Sequence, residues 1–566
     1  MVLAFGTLRY LLHGSMALVN AYLNMLDRIL PVPIRPIGWF YLDHTGWLLG
    51  GLVVLGLASP WLWDVWLRWR HQAQPYTTSA LGKHSPQAVQ HLRKLCLTRR
   101  WAFPSLRLLP TEVPLLFSYG WLPRNGRVVV SQGLLDRLDD DEIAALYVYE
   151  LGHWQGPDWP LLSVMGLLLQ GFHWGYWVLA RWGNQQQRLV TVAAGLLSMA
   201  CYGIFWLLNK AVGWVARVRT HYRDRTAAQT TGHPNGLIRA LGKLAFAQAA
   251  GVDAQGYTPP LLESLTPLLP VSPVGVLPLH VEQQRQPLAR LFQWDALNPW
   301  RSWLSLNQPH PPLGDRLQLL NAYVRHWRLV PALDFSTLSL AQRRSAQLSH
   351  QEWRRLLFQG GPWSGLVIGG LVGVVLWGVG AISTAADVAF LDWLNQDFAI
   401  VRSAMLLGIG TGILLRMNAF FPDLPSPQPE AAQVQAAEFT QWTMAPDLLP
   451  GDSLPIQLSG QLLGRPGVAN WLGQDLWLKT TSGLVKLHFF STLGPIGNCL
   501  GRGPKAYQLI GQTVQVTGWF RRGQQIWIDA QQLSSPTQQL AGNHPVWSLV
   551  IFAGVAVRGL WILIFG

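Results

Sequence analysis

Residues 146–160 read LYVYELGHWQGPDWP, and within them lies Tyr149-Glu150-Leu151-Gly152-His153. One letter separates this from H-E-x-x-H, in which two histidines four apart leave one face of a helix and hold a single zinc ion. The glutamate between them acts as general base on a metal-bound water. Here Tyr149 stands in the first histidine's place. A pentapeptide this short also arises at the end of any amphipathic helix, so its meaning depends on the rest of the chain.

The chain has 566 residues, enough for several domains. Hydrophobic residues make up 49% and charged residues 13%, about half of the roughly 25% charge of soluble domains. With 30 Trp, this balance points to a membrane protein and to a lipid bilayer as its first partner. The formal charge of +14 fits Lys and Arg gathered beside anionic headgroups and weighs against nucleic acid as a partner. Cys96, Cys201 and Cys499 are far apart and odd in number, which excludes a disulfide framework and a cysteine zinc cluster. Neither a G-x-x-x-x-G-K-[ST] phosphate loop nor a dinucleotide fingerprint occurs.

A spanning helix needs about 20 mostly apolar residues. The clearest is 363–383, WSGLVIGGLVGVVLWGVGAIS, with near-matches at 46–63, 160–180, 189–209, 399–415 and 546–565. The stretch 160–180 carries Gln170 and His173 and is less pure. Residues 1–30 are interrupted by Arg9, His13, Asn20, Asn24, Asp27 and Arg28, and read as an interfacial helix or a poor first span, without a secretory cleavage site. Basic residues after the span at 46–63 assign 64–158 to the cytoplasmic side, and the acidic connector 384–398 to the opposite one.

Beyond 421 the composition changes. FPDLPSPQPEAAQVQAA reads as a linker, and 453–535 holds about five short runs of strand character punctuated by Gly and Asn. A small β-barrel is expected, the OB-fold being the best single guess. Arg465, Lys479, Lys486, Arg502, Lys505, Arg521 and Arg522, with Trp519 and Trp527, are the residues that a basic, aromatic groove would use. The same residues would suit anionic lipid.

The surroundings of the pentapeptide raise its weight. Upstream runs NGRVVVSQGLLDRLDDDEIAALYVYELGHW (125–154), and downstream GPDWP leads into a hydrophobic hairpin. Arg219-Thr220-His221-Tyr222-Arg223-Asp224-Arg225-Thr226-Ala227-Ala228 follows, and then PHPPLGDRLQLL at 309–320. In this order the three stretches resemble the HtpX-type membrane zinc metalloproteases, the family that includes the CAAX prenyl endopeptidases. The resemblance covers roughly 80–325. It extends to Asp158, five residues after His153, and to a frame held by Arg219, Asp224, Arg225 and two alanines, then by His310, Pro311, Pro312 and Arg316.

The resemblance implies a mainly α, multi-pass membrane protein: a helical metalloprotease-like lobe, to which the chain adds the small C-terminal OB-like barrel. The divisions expected are a membrane region at 1–68, the first part of the lobe at 69–158, a transmembrane hairpin at 159–210 and the second part of the lobe at 211–358. A second hairpin follows at 362–416, then a linker at 421–440, the barrel at 450–540 and a last span at 545–566. The lobe and barrel are expected on the cytoplasmic side.

The family's pattern asks for two histidines and a glutamate as zinc ligands, and the matching positions hold Tyr149, His153 and Thr220. Only His153 remains a ligand, beside the catalytic position Glu150 and the supporting position Asp224. One imidazole does not hold zinc against water. His221 is adjacent to Thr220 but points about 100° away on a helix. With no metal, Glu150 and Asp224 need another cation, and Arg219, Arg223 and Arg225 are near in sequence. His173 reads as a polar packing residue, and His280 and His310 as turn residues. The segment 258–280 is too rich in proline to span; it covers the cleft or touches the bilayer surface. Three readings follow. One is an inactive protease homologue that binds membrane or misfolded proteins. Another is a zinc endopeptidase of membrane-protein quality control with non-standard ligands, zinc being its cofactor. The third is a membrane-anchored OB-type binding module.

Overall fold

Helices predominate in the computed structural model, which describes residues 2–29, 35–156, 158–271, 292, 294–295, 298, 308–333, 354, 357–387, 389–395, 398–424, 439, 442, 452–481, 483–500, 505–523 and 525–565. The chain divides into two units, Met1–Ala296 with Trp300–Thr337, and Leu297–Pro299 with Leu338–Gly566.

The first unit starts with α1 (Val2–Ile29) and α2 (Thr45–His71). Next come β1 (Gln74–Tyr76), α3 (Thr78–His84), α4 (Pro86–Arg99), β2 (Ser105–Leu109), β3 (Leu116–Tyr119) and β4 (Arg127–Ser131). The four strands make one sheet in the order β1-β2-β4-β3, with β2 parallel to β4 and β3 antiparallel to it, so β3 is an edge. After the short α5 (Gln132–Leu135) comes α6 (Asp140–Leu151), which carries the opening motif. The helices α7 (Asp158–Gly183) and α8 (Arg188–Thr231) follow, then α9 (Pro234–Gln255), α10 (Pro260–Ser264) and α11 (Leu313–His326).

α8 has 44 residues, about 66 Å of helix, against a bilayer core of about 30 Å. Its apolar first half can cross while its second half continues into the lobe and delivers Thr220, Arg223 and Asp224 to α6. The lower turns of α2 are anchored in the sheet by Asp64. This carboxylate accepts from Tyr119 Oη at 2.8 Å and Arg127 Nε at 2.8 Å, with Arg107 at 3.3 Å. Beside it, Trp63 stacks on Tyr119 at 5.4 Å and donates from Nε1 to Ser163 O at 2.9 Å.

Among the described residues five helices are long and apolar enough to cross a membrane: Thr45–His71, Leu189–Thr231, Gly361–Ala385, Ala399–Phe420 and His544–Ile564. The hairpin expected at 159–210 forms as α7 and α8, but α7 is not among the five. Its Gln170 and His173 turn inward; His173 Nε2 meets Glu263 Oε2 at 3.0 Å, and Tyr202 Oη donates to Glu263 Oε1 at 3.0 Å. The described part of 258–280 is packed into this unit, with Leu262, Leu265, Leu268 and Leu269 in its main core; His280 lies outside the described residues.

The second unit holds α12 (Gly361–Ala385), α13 (Ala399–Phe420) and, after the barrel, α15 (His544–Phe565). Its strands are β5 (Leu454–Gly464), β6 (Leu476–Thr480), β7 (Gly483–Phe489), β8 (Thr513–Arg522), β9 (Ile526–Ser534) and β10 (Gln539–Ala541), with α14 (Gly494–Leu500) between β7 and β8. Five of the strands close a barrel, β5-β6-β7-β9-β8 and back to β5, in which β7 and β9 are parallel; β10 adds to β9. Alternating residues such as Leu476 and Leu478, or Val514 and Val516, fill its interior.

Arg465, Arg521 and Arg522 do not line a basic groove, because all three are buried. Arg465 Nε lies 3.3 Å from Asp475, and Arg521 Nε donates to Asp529 at 2.8 Å. Two described residues of the linker expected at 421–440 reach the barrel. Pro422 O accepts from Trp519 Nε1 at 2.8 Å, and Phe439 sits edge-on to Phe520 at 5.6 Å in the barrel core.

Candidate functional site

The site is built on α6. Asp139 and Glu142 form its capping box, with Asp139 N donating to Glu142 Oε2 at 3.0 Å. The acidic first turn is matched by α9, whose Lys243 Nζ reaches Asp139 and Glu142 at 2.8 Å each and whose Arg239 reaches Asp141 and Glu142. Every residue from Glu142 to Leu151 is buried, the sign of a helix packed on all sides.

The α-helix ends at Leu151, and Gly152–Gln155 continue as a 3-10 turn. That turn advances about 120° per residue instead of about 100°. His153 is therefore carried round from the face of Tyr149 that a continuous α-helix would share. Gly152 faces α8 closely: a Cβ there would stand 3.3 Å from Thr226 Cβ and 3.5 Å from the Arg223 Cα.

Glu150, His153, Tyr149, Thr220, Arg223 and Asp224 are all buried. Ser118 of β3 joins them. Its Oγ lies 3.1 Å from Glu150 Oε2 and 3.1 Å from His153 Nε2, and it accepts from Trp154 Nε1 at 3.0 Å. One arrangement satisfies the Ser118 hydroxyl. His153 Nε2–H and Trp154 Nε1–H donate to the hydroxyl, which donates its own proton to Glu150. Burial and the charges of Arg223 and Arg219 push His153 well below its ordinary value and keep it neutral. Among the described residues its Nδ1 has no hydrogen-bond partner.

Arg223 holds the centre together. Its NH2 group donates to Glu150 Oε1, its Nε to Tyr149 O at 3.4 Å, and its Cζ lies 4.0 Å from the centre of the Tyr149 ring. Arg316 of α11 stands 5.5 Å from that ring and grips Asp224 with two bonds, 2.9 Å from Nε and 2.7 Å from NH2. Its third branch donates to Pro270 O at 2.6 Å. Burial raises the Glu150 carboxyl to about 7, while Arg223 and Ser118 pull it back. Burial likewise raises the Tyr149 phenol and so keeps its proton on. Thr220 spends its hydroxyl on Ala216 O at 3.1 Å.

Of the residues expected at the site, Tyr149, Glu150, His153 and Asp224 are linked through Arg223, Arg316 and Ser118, while Thr220 is buried on α8 and bonded to its own helix. The sequence reading missed Ser118, which nothing in the sequence marks, and it misplaced the cation at Asp224. That partner is Arg316, not Arg219 or Arg225, and Arg225 is exposed. His221 is exposed as well. His310 donates from Nε2 to Thr266 O at 2.8 Å; burial, against the pull of that bond, pushes it down to about 3 and leaves it neutral. The Asp158 side chain lies outside the described residues.

The sequence pattern of peptidase family M48 matches residues 111–324. That segment belongs to the M48 family. The M48 segment is similar to curated proteins named "Protease HtpX homolog". The one from Thermococcus sibiricus is 29% identical over 229 residues, covering 38% of this chain and 75% of that protein. The one from Syntrophobacter fumaroxidans is 25% identical over 280 residues, covering 48% and 86%. The one from Acaryochloris marina is 24% identical over 262 residues, covering 45% and 78%. No solved structure matches.

M48 proteases of this type are zinc enzymes, and the residues present here do not fit the ion. Among the described residues no three His, Cys, Asp or Glu side chains are grouped to hold a metal. Tyr149 keeps its proton, Thr220 donates to its own helix, and a guanidinium already neutralises Glu150.

Proposed function

We propose that this M48 homologue has given up peptide hydrolysis and works by binding membrane or misfolded proteins through its lobe. The observation that carries this reading is Arg223. Its guanidinium supplies, beside Glu150, the positive charge that a metal-assisted hydrolase takes from zinc. Glu150 is fully buried and both its oxygens are engaged, Oε1 by Arg223 and Oε2 by Ser118, which leaves neither facing an attacking water. A second cation would have to enter against a fixed one. Basic loops at 64–158 support a cytoplasmic lobe.

The test is metal analysis and proteolysis on purified full-length protein. Wild type should carry well under one zinc per chain, and its background proteolysis should be unchanged by Glu150→Gln. Stoichiometric zinc that His153→Ala removes, or cleavage of an unfolded protein that Glu150→Gln abolishes, would restore the reading of an active endopeptidase. A further reading, a membrane-anchored OB-type binding module, is supported by one observation, the closed five-strand order with parallel β7 and β9. If the barrel carries the function, deleting 425–540 removes the cellular phenotype while substitutions at 149–153 leave it intact.

A further inference from the structure

The membrane helices of the second unit contain a groove of about 660 Å³ between α12 and α13. Glycines make its floor. A Cβ on Gly365 would stand 1.9 Å from Gly408 O, and one on Gly412 would stand 1.8 Å from Gly361 O, so the two backbones touch. Ile368, Val372, Leu407 and Leu415 form its walls. From Gly361 to Leu376 it runs roughly 22 Å at 1.5 Å per residue, beyond the midplane of a core about 30 Å thick.

One end of this apolar groove carries a charge. Arg416 lies within 3.2 Å of the Cβ position of Gly361, donates from NH1 to Gln359 O at 3.2 Å, and stacks 3.9 Å from the Phe420 ring. The opposite face of the ring is taken by Arg521 at 3.6 Å. Two guanidiniums thus share one aromatic ring, and the nearby carboxylate, Asp529, is bonded to Arg521 at 2.8 Å. Among the described residues no carboxylate lies within ion-pair distance of Arg416. Leaving a guanidinium at the edge of hydrocarbon without a counter-ion is costly.

We infer that this groove binds an anionic phospholipid, one acyl chain lying along the glycine floor and the phosphate pairing with Arg416. Charge complementarity selects the occupant: a neutral chain would fill the groove but leave Arg416 unpaired. A zwitterionic headgroup brings its own cation to the phosphate.

The experiment uses the full chain in nanodiscs of phosphatidylcholine doped with phosphatidylglycerol. Lipids retained after transfer to detergent are counted by native mass spectrometry. Wild type should keep about one phosphatidylglycerol per chain in preference to phosphatidylcholine. Arg416→Gln should lower that retention about tenfold, the worth of one charge-assisted bond. Thr411→Trp, which fills the groove and leaves the charge, should lower it as well. Arg402→Gln, at the other end of α13, should leave it unchanged. Equal retention of the two lipids by wild type, or full retention by Arg416→Gln eluting as a monodisperse peak, would overturn the assignment.

Discussion

Replacing Arg223 with methionine tests the centre most directly. The wild-type Glu150 carboxyl titrates near 7 in the fold and near 4.5 in the unfolded chain. Because the folded value is the higher one, the stabilising effect of the bound proton is complete below about pH 4.5 and is lost as pH rises through 7. Removing Arg223 deletes the charge that pulls Glu150 down, so the carboxyl then holds its proton to still higher pH. At pH 5.5 Glu150 is protonated in both proteins, and the variant loses only packing and the contact with the Tyr149 ring, roughly 1–2 kcal/mol. Above 7 the wild type ionises against its guanidinium while the variant cannot. Its deficit then grows by about 1.4 kcal/mol per pH unit, adding about 2 kcal/mol by pH 8.5. Thermal melts in detergent from pH 5.5 to 8.5 would show this as a gap in Tm that widens with pH. Adding Glu150→Gln to the variant should flatten the gap. A deficit that stays constant with pH, or that widens toward acid, would refute the pairing of Arg223 with Glu150.

Two more substitutions examine neighbouring contacts. Tyr149→Phe should cost under about 1 kcal/mol because the ring face under Arg223 is kept, whereas Tyr149→Ala should cost roughly 3–5 kcal/mol; the two melting curves decide it. Asp224→Asn should destabilise by about 3–5 kcal/mol by leaving the Arg316 guanidinium buried without its counter-charge. Pairing it with Arg316→Met should recover part of the loss in the same assay.

The membrane class, the M48 lobe and the barrel were legible in the sequence because each rests on local pattern. Long apolar runs must span, alternating residues between glycines must form half-buried strands, and three ordered motifs mark a lineage. The positions of Tyr149, Glu150, His153, Thr220 and Asp224 could be read for the same reason. Each sits in a conspicuous motif.

The pairings could not be read, because charges meet through space. Arg223 and Arg225 are alike in sequence, yet helical phase turns the first toward Glu150 and the second toward solvent. Arg316 reaches Asp224 across 92 positions, and Ser118 enters only because β3 is an edge strand beside α6. Arg465, Arg521 and Arg522 looked like a basic surface, but the closed barrel buries all three, Arg465 against Asp475 and Arg521 against Asp529. The sequence by itself determined that Tyr149 and Thr220 stand beside Glu150 and His153 in their motifs. Tertiary packing alone decided which cation pairs with Glu150, since that depends on which of several arginines the fold buries beside it.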